Sequence, residues 1–285
     1  MNQNKKAEFK LLIMRTLSYA CLIFLSLLCL FFFYLMILNA SHSNAELQGK
    51  WTFAFGTHFI ENLINAWNDA SINIPRGLFN SFFIAVISAL LNTYFAALTA
   101  YGIYAYDFKL KKIANAFILA VMMIPSQVSA VGFIQLAYRF NLTNNLWMLI
   151  LPSIAGPATY FYMHQYLEAS LPLEIVEAAR IDGSNEFVTF NRIVLPVMKP
   201  ALAVQMIFAF IASWNNYFTP SLLLTKAEYK TVPIMIAQLR SADYSKFDLG
   251  KMYMFILLAI LPVMIVYVFL SKSIIKGVTS GSVKG

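Results

Sequence analysis

The chain has 285 residues, of which 60% are hydrophobic and 12% charged, and its formal net charge is +8. An average soluble domain is about 45–50% apolar and about 25% charged, so this composition excludes disorder and a coiled coil and argues against almost any soluble globular fold. Cys21 and Cys29 form no metal-binding or disulfide pattern. The positive charge is typical of the cytoplasmic loops of a membrane protein and does not by itself indicate nucleic-acid binding.

Six long windows without a charged residue predict the membrane spans. About 20 apolar residues cross the hydrocarbon core as a helix, and in lipid the backbone polar groups need partners within that helix. We therefore predict an all-α polytopic protein, a single transmembrane domain over residues 1–285 with six transmembrane helices. In chain order they are expected at about residues 15–38, 78–104, 113–137, 146–167, 200–222 and 252–274.

Lysine and arginine predict how these helices are oriented, because short cytoplasmic loops are enriched in both residues. Thirteen of them lie in the N-terminus, the loops 105–112 and 168–199 and the C-terminal tail, against eight in the opposite set of segments. Both termini are therefore expected to be cytoplasmic. The loops 39–77, 138–145 and 223–251 are expected to face outward.

No Asp, Glu, Lys or Arg lies inside the charge-free windows, which are residues 16–45, 77–106, 113–138, 140–167, 200–225 and 252–271. Carriers coupled to protons or sodium generally need ionisable groups near the membrane midplane, so this absence counts against a secondary transporter. The phosphate-binding pattern G-x-x-x-x-G-K-[ST] is also missing from the sequence. We therefore expect no catalytic residue, no metal site and no ATP site in this chain, and uphill transport would need energy from another polypeptide.

The predicted cytoplasmic loop 168–199 has a helical sequence. Pro172 and Glu174 suit the first turn of a helix, and an amphipathic helix is expected over residues 173–181. Gly183 ends this helix in a sharp turn, for which we expect a positive φ.

A second short helix is expected over about residues 185–193, stopped by Pro196. It would carry three apolar residues on one face, Phe187, Phe190 and Ile193. Two short helices joined by a glycine turn form a wedge whose apolar face needs a surface to bury against. That surface is either the membrane ends of the loop itself or the groove of a partner protein.

The spacing Glu177-Ala178-Ala179-x-x-x-Gly183, followed after nine residues by Ile193-x-Leu195-Pro196, resembles the EAA motif of bacterial ABC importer permeases. Further motifs resemble the carbohydrate-importer subfamily, and the likeness covers about residues 75–285. These motifs are Asn80-Ser81, Ala100-Tyr101, Met123-Ile124-Pro125, Trp214-Asn215-Asn216-Tyr217, Thr231-Val232-Pro233 and Val283-Lys284-Gly285. The resemblance is closest to the second permease subunit of maltose- and oligosaccharide-type systems.

The resemblance implies an importer of the bacterial cytoplasmic (inner) membrane. Its expected partners are a second homologous permease, two cytoplasmic ATPases that hold ATP and Mg²⁺, and an extracytoplasmic solute-binding protein. The wedge would insert into a cleft of one ATPase and couple ATP-driven closure to the pore. This coupling role falls on the motif residues Glu177, Ala178, Ala179 and Gly183.

The path of a sugar through the spans is expected to be lined by neutral polar groups and aromatic rings. Polar side chains in lipid face the helix bundle or a cavity, where they either contact the substrate or bond to neighbouring helices. The candidates are Gln127, which follows a possible helix break at Pro125, and Asn215, Asn216 and Trp214.

Other functions stay open on the sequence alone. One alternative is an ABC importer permease for a solute other than a sugar. A membrane-embedded enzyme would need a carboxylate or metal cluster at a membrane face, and the acidic residues near the wedge are spaced to suit the wedge. An assembly subunit without a translocation path is the third alternative.

Overall fold

The computed structural model describes residues 2–49, 53–241 and 248–282, so the motif Val283-Lys284-Gly285 lies outside the described residues. Over these ranges the regular elements are helices. They are α1 Asn2–Ala40, α2 Asn44–Gly49, α3 Phe59–Trp67, α4 Ile74–Ala105, α5 Lys111–Met122, α6 Ser126–Arg139, α7 Trp147–Ile150, α8 Pro157–Ser170, α9 Leu173–Ile181, α10 Glu186–Thr189, α11 Leu195–Val197, α12 Lys199–Trp214, α13 Phe218–Leu223, α14 Val232–Ser241 and α15 Leu249–Ser282. Two 3-10 turns, Leu151–Ile154 and Ala227–Tyr229, and a π turn, Phe190–Val194, join some of them.

The first of two compact units comprises residues 1–69 and 241–258. The side chains of α1 are exposed from Phe9 to Phe33, and only the end of this helix is buried. The buried amide of Asn62 donates hydrogen bonds of 2.9 Å to the carbonyls of Ala40 and His42. An apolar helix exposed along most of its length is suited to lipid or to another helix.

The second unit comprises residues 70–240 and 259–285, and α4 is its central helix. α4 packs against α8 and α12. The small residues Ala96 and Ala100 are buried at this contact, as their spacing of four residues predicts for a tight helix–helix face. Large aromatic and sulfur-containing side chains fill the same core, among them Tyr160, Met163 and Phe190.

Among the residues that the structure describes, three helices are long and apolar enough to cross a membrane: Phe9–Ala40, Ile74–Ala105 and Leu249–Phe269. The number rises to five if each of two bent helix pairs counts as one span. These helices coincide with the stretches predicted as spans near the N-terminus, at 78–104 and near the C-terminus. The predicted count of six is not confirmed by helix length and composition.

Breaks interrupt the three other predicted spans. α5 and α6 are bent by 93°, which confirms the break anticipated at Pro125, because proline has no backbone N–H and disfavours a helical residue before it. The expectation of one uninterrupted helix is wrong for 146–167, which breaks at Ala155 and Gly156, and for 200–222, which breaks after Trp214.

Candidate functional site

The wedge is the segment from Leu173 to Val197. Its first helix, α9, has the predicted bounds Leu173–Ile181. Val176 and Ala179 face the core and are buried, whereas Glu177 and Ala178 are exposed. The motif residues therefore divide between an inner face that packs on the chain and an outer face that is open.

Gly183 ends α9 with a positive φ of 77°, as the sequence predicts. The amide of Gly183 donates to the carbonyl of Arg180, and the amide of Ser184 donates to the carbonyl of Ala179, each at 3.0 Å. This pair of bonds is the Schellman arrangement that closes a helix C-terminus. The turn is therefore fixed by the backbone and depends on the left-handed conformation that glycine adopts without strain.

The second helix of the wedge is longer than predicted. The side chain of Asn185 caps it by accepting a hydrogen bond from the amide of Val188. The helical path then continues from Glu186 through the π turn to Val197, so the predicted end at residue 193 is wrong. Pro196 follows the π turn and lies in the first turn of α11, so the helical path ends only after Val197 and not before the proline.

The three apolar residues that were predicted to share one face of this helix differ in their burial. Phe190 is 1% exposed and stacks on Tyr101 with ring centroids 5.6 Å apart, and Ile193 is partly buried. Phe187 instead is 70% exposed. The wedge thus buries one apolar face against its own chain and leaves another side open.

A polar network joins the wedge to the end of α4. The carboxylate of Glu186 accepts a hydrogen bond of 2.7 Å from Nε of Arg180, across the glycine turn, and one of 2.9 Å from the hydroxyl of Tyr101 in α4. The guanidinium of Arg180 lies 4.9 Å from the centroid of the Tyr106 ring, a cation–π distance. Both wedge helices and α4 are therefore tied at one carboxylate.

These contacts favour the ionised form of Glu186. Burial alone would raise the pKa of this carboxyl, but hydrogen bonds from Arg180, Tyr106 and Tyr101 outweigh it and hold the pKa below its ordinary value. Glu186 therefore stays charged at neutral pH and keeps its partners.

The tip of the wedge exposes apolar side chains on both sides of the glycine turn. Ile181, the last residue of α9, is 87% exposed, and Phe187 in the next helix is 70% exposed. Two large apolar residues held in the open on a rigid, anchored turn are typical of a docking surface.

The residues predicted to line a substrate path lie at helix breaks. Gln127 is exposed in the first turn of α6, directly after the bend. Asn215 and Asn216 are exposed where α12 ends. Trp214 instead is 4% exposed and stacks on Phe210 in the core. Among the described residues no hydrogen bond joins Gln127 to either asparagine.

Several other polar residues in the spans pair with neighbouring segments. The amide of Asn80 donates to the carbonyls of Glu228 and Lys230, and that of Asn92 donates to the carbonyl of Ser153. The hydroxyl of Tyr160 donates to the side chain of Asn115 at 2.8 Å. For these residues the structure therefore supports hydrogen bonding between segments of the chain over contact with a substrate. Within the described ranges, no group of three His, Cys, Asp or Glu side chains is arranged to hold a metal ion.

Sequence reasoning missed the anchors of the wedge. The sequence alone predicts no contact among Glu186, Arg180 and the Tyr101 hydroxyl. The one available signal was the pair of opposite charges that flanks the predicted glycine turn. The contact with Tyr101 had no local signal, because 85 residues separate it from Glu186.

Comparison with known proteins gives consistent matches. Residues 92–279 match the family described as "Binding-protein-dependent transport system inner membrane component". The arabinooligosaccharides transport system permease protein AraQ of Bacillus subtilis is 34% identical, over 79% of each chain. The maltodextrin transport system permease protein MalD of Streptococcus pneumoniae is 28% identical, over 99% of this chain and 100% of its own.

A solved structure has the same fold. One chain of a bacterial ABC transporter involved in the import of the acidic polysaccharide alginate superimposes with a TM-score of 0.76. The match covers 90% of this chain and 96% of that chain, at 20% sequence identity. At this identity the likeness extends to the fold and not to the substrate.

Proposed function

Because the chain belongs to the family of inner membrane components of binding-protein-dependent transport systems, we propose that its wedge couples it to a cytoplasmic ATPase while its helices form half of the path for a sugar or oligosaccharide. The chain is a multi-pass membrane permease. Members of this family have no ATP site of their own, and separate ATPase subunits hydrolyse ATP.

The exposed tip of the wedge is the observation that carries the coupling role. Ile181 and Phe187 are among the more exposed large apolar side chains of this unit, yet the turn between them is fixed by backbone hydrogen bonds at Gly183. A rigid apolar tip fits a groove on a partner at a low cost in conformational entropy. The exposed Glu177 and Ala178 extend this surface along α9.

The network at Glu186 supports force transmission from this tip. When an ATPase moves the tip, Arg180 and Glu186 move with it, and the hydrogen bond to Tyr101 passes the displacement to α4. Phe190 packs on the same ring. The core helix of the unit is thereby attached directly to the docking surface.

The coupling role is tested by changing the tip without changing its anchors. Ile181→Ser and Phe187→Ser should leave insertion and abundance normal, because both side chains are exposed. Co-purification of the ATPase and uptake should both fall. Leu110→Ser is the matched control, since Leu110 is 62% exposed in the other predicted cytoplasmic loop. Normal uptake and normal ATPase retention in the double variant would refute the coupling role.

The further partners follow the family pattern. We infer a second, homologous permease, two ATPase subunits with bound ATP and Mg²⁺, and an extracytoplasmic solute-binding protein. The long exposed face of α1 supports a helical or lipid neighbour. The purified single chain should bind no ATP, whereas the assembled complex should hydrolyse it.

A saccharide is the substrate class that the relatives favour. The relatives named above are permeases for arabinooligosaccharides and maltodextrin, and a lactose permease protein of Rhizobium radiobacter is 29% identical over 94% of this chain. The charge-free windows of the sequence support a neutral sugar over an ionic solute. Uptake of labelled sugars into vesicles that contain the complex tests this choice, and uptake of a non-sugar solute alone would favour the alternative importer.

Exposed amides at the helix breaks are the proposed substrate contacts. Gln127, Asn215 and Asn216 present donors and acceptors where the backbone leaves the helix. Trp214 packs on Phe210 and stabilises the end of α12 next to Asn215 and Asn216. Replacing each amide by leucine should reduce uptake while ATP hydrolysis persists, which separates the path from the coupling surface.

The full topology also belongs to this proposal. We infer six spans, with the wedge and both termini in the cytoplasm of a bacterial cell. The spans are α1, α4, the bent pair of α5 and α6, the 147–170 segment, α12 with α13, and α15. The lysine and arginine count and the docking tip both support this orientation. A membrane-embedded enzyme is disfavoured because Glu186 is engaged as a structural anchor.

A further inference from the structure

An open cleft of about 470 Å³ lies on the second unit, away from the wedge residues. Its volume is within the range of about 300–1,000 Å³ that is common for small-molecule sites. Three segments that are distant in the sequence form it: α4, the segment 141–147 that leads from α6 into α7, and the 3-10 turn Ala227–Tyr229. The lining residues are Phe83, Asn141, Leu142, Thr143, Asn144, Asn145, Leu146, Trp147 and Tyr229.

The cleft has an aromatic wall. Trp147 is 48% exposed, and its ring stands at 85° to that of Phe83 with centroids 5.8 Å apart. Phe83 therefore supports the indole in one position while about half of Trp147 remains open. Tyr229 contributes a second aromatic side chain to the lining.

The rim of the cleft is held rigidly by one asparagine. Asn144 has a φ of 55°, and its side-chain oxygen accepts hydrogen bonds of 2.8 Å from the amides of Thr225 and Lys226. The backbone N–H of Asn144 donates to the carbonyl of Leu223 at 2.9 Å. Because Asn144 is used in this clamp, the shape of the cleft is set before any ligand binds.

A neighbouring asparagine is available for a ligand. Asn141 also has a φ of 55° and is exposed, and in the described structure its side chain makes no hydrogen bond. Its amide offers both a donor and an acceptor. Among the described residues that line the cleft there is no Asp, Glu, Lys or Arg, so the site favours an uncharged ligand.

We propose that this cleft, formed by Trp147, Asn141 and Tyr229, is a binding site for a neutral saccharide on the outward face of the permease. The apolar face of a sugar ring packs on an aromatic side chain, and sugar hydroxyls exchange hydrogen bonds with neutral amides. The outward position and the saccharide class rest on the proposed function. The site precedes the path through the spans, and it receives the sugar as it leaves the binding protein.

The test measures sugar binding to the purified full-length chain in detergent, without a binding protein. The probes are labelled maltotriose, raffinose and arabinotriose, each followed by equilibrium dialysis. The wild type should bind at least one of them, and Trp147→Ala should weaken that binding by about two- to tenfold, which is about 0.4–1.4 kcal/mol. Asn141→Gly, which keeps the positive φ and removes the amide, should weaken it several-fold.

Trp67→Ala is the matched control. Trp67 is 47% exposed, almost the same as Trp147, but it belongs to the first unit, so its loss should leave binding unchanged. Thermal unfolding of each variant checks that the fold is intact. No binding of any probe by the wild type, or equal binding by the Trp147 and Trp67 variants, would overturn the site.

Uptake by the assembled transporter separates this site from the proposed function. Import of a saccharide together with unchanged binding in Trp147→Ala would refute the cleft and leave the function standing. Saccharide binding that depends on Trp147, without saccharide import, would refute the function and leave the cleft standing. In Trp147→Ala, the binding protein could stimulate ATP hydrolysis less strongly while sugar binding stays normal. That result would identify the cleft as a protein contact and reject the saccharide site.

Discussion

Two residues determine the geometry of the wedge. Gly183 supplies a left-handed backbone conformation at φ 77°, and Glu186 joins the two sides of the turn to α4 through Arg180 and Tyr101. The first contribution is conformational and the second electrostatic. They can therefore be tested separately.

The glycine contribution predicts a graded series of variants. An alanine Cβ at Gly183 would meet no atom within 4 Å, so Gly183→Ala should be destabilising by about 1–2 kcal/mol only because a left-handed conformation is unfavourable for an L-residue. Gly183→Asn should cost less, since asparagine tolerates this region better. The measurement is the thermal unfolding midpoint of the purified chain in detergent.

Gly102 in α4 is the control for this series. A Cβ there also meets no atom within 4 Å, but the residue is helical, so Gly102→Ala should be neutral or stabilising by up to about 1 kcal/mol. Equal effects of alanine at the two positions would show that the positive φ is not what makes Gly183 necessary.

The electrostatic contribution predicts a pH dependence. Since the folded state lowers the pKa of Glu186, its stabilisation is fully present above the ordinary glutamate pKa of about 4.3 and is lost as the pH falls through the lower folded value. Glu186→Gln should therefore be less stable than the wild type at pH 5–7. The side chains of Arg180 and Glu186 are 35% and 43% exposed, so solvent screening limits the difference to about 1 kcal/mol.

The thermal midpoints of both proteins, measured from pH 7 down to pH 3.5, check this prediction. The difference in thermal midpoint between the wild type and Glu186→Gln should be constant above pH 5 and should narrow below about pH 4. Arg180→Gln should show the same narrowing, because it removes the other member of the pair. A difference in thermal midpoint that widens on acidification would contradict the lowered pKa of Glu186.

At the scale of elements, helix breaks distinguish this chain from a simple bundle. α5 and α6 meet at 93°, and the helix Glu186–Val197 meets α12 at 83°. Gln127 lies directly after the first break, and the wedge lies directly before the second. Bends of this size release backbone groups that a continuous helix would use internally.

Replacing Pro125 should change the distance between α5 and α6, the two arms of the first bend. Spin labels at Ala116 and Val131, both on exposed positions of the two arms, should lie about 15 Å apart around a right-angle bend, as the helical rise of about 1.5 Å per residue gives. Pro125→Ala restores the backbone N–H and permits a helical Ile124. The labels should then move toward the distance of about 22 Å expected for a continuous helix.

Electron paramagnetic resonance in detergent measures this distance. Pro157→Ala is the control, because Pro157 lies at the N-terminus of α8, where the missing N–H is not needed. An unchanged distance in Pro125→Ala would mean that packing, and not the proline, maintains the bend.

At the scale of the whole molecule, the distribution of charge predicts the orientation. Asp182 in the wedge and Lys226 in the Leu223–Lys230 segment are both exposed. After Cys21 and Cys29 are replaced by serine, an impermeant maleimide should label Lys226→Cys in intact cells and Asp182→Cys only after permeabilisation. The reverse pattern would invert the topology and remove the wedge from the ATPase side.

Local sequence was sufficient for much of the architecture. The charge-free windows located α1, α4 and α15, because a helix in lipid needs a continuous apolar stretch. The bounds of α9 and the positive φ of Gly183 followed from capping and turn preferences that act within a few residues. The bend at Pro125 followed from the chemistry of one residue.

Only the tertiary structure decided how these pieces meet. Phe187 and Phe190 have the same chemistry, and α4 determines that Phe190 is buried while Phe187 is exposed. The anchor between Glu186 and Tyr101 spans 85 residues, and the saccharide cleft joins α4 to two distant turns. Such contacts depend on where separate helices come together, and preferences that act over one or two helical turns contain no information about that arrangement.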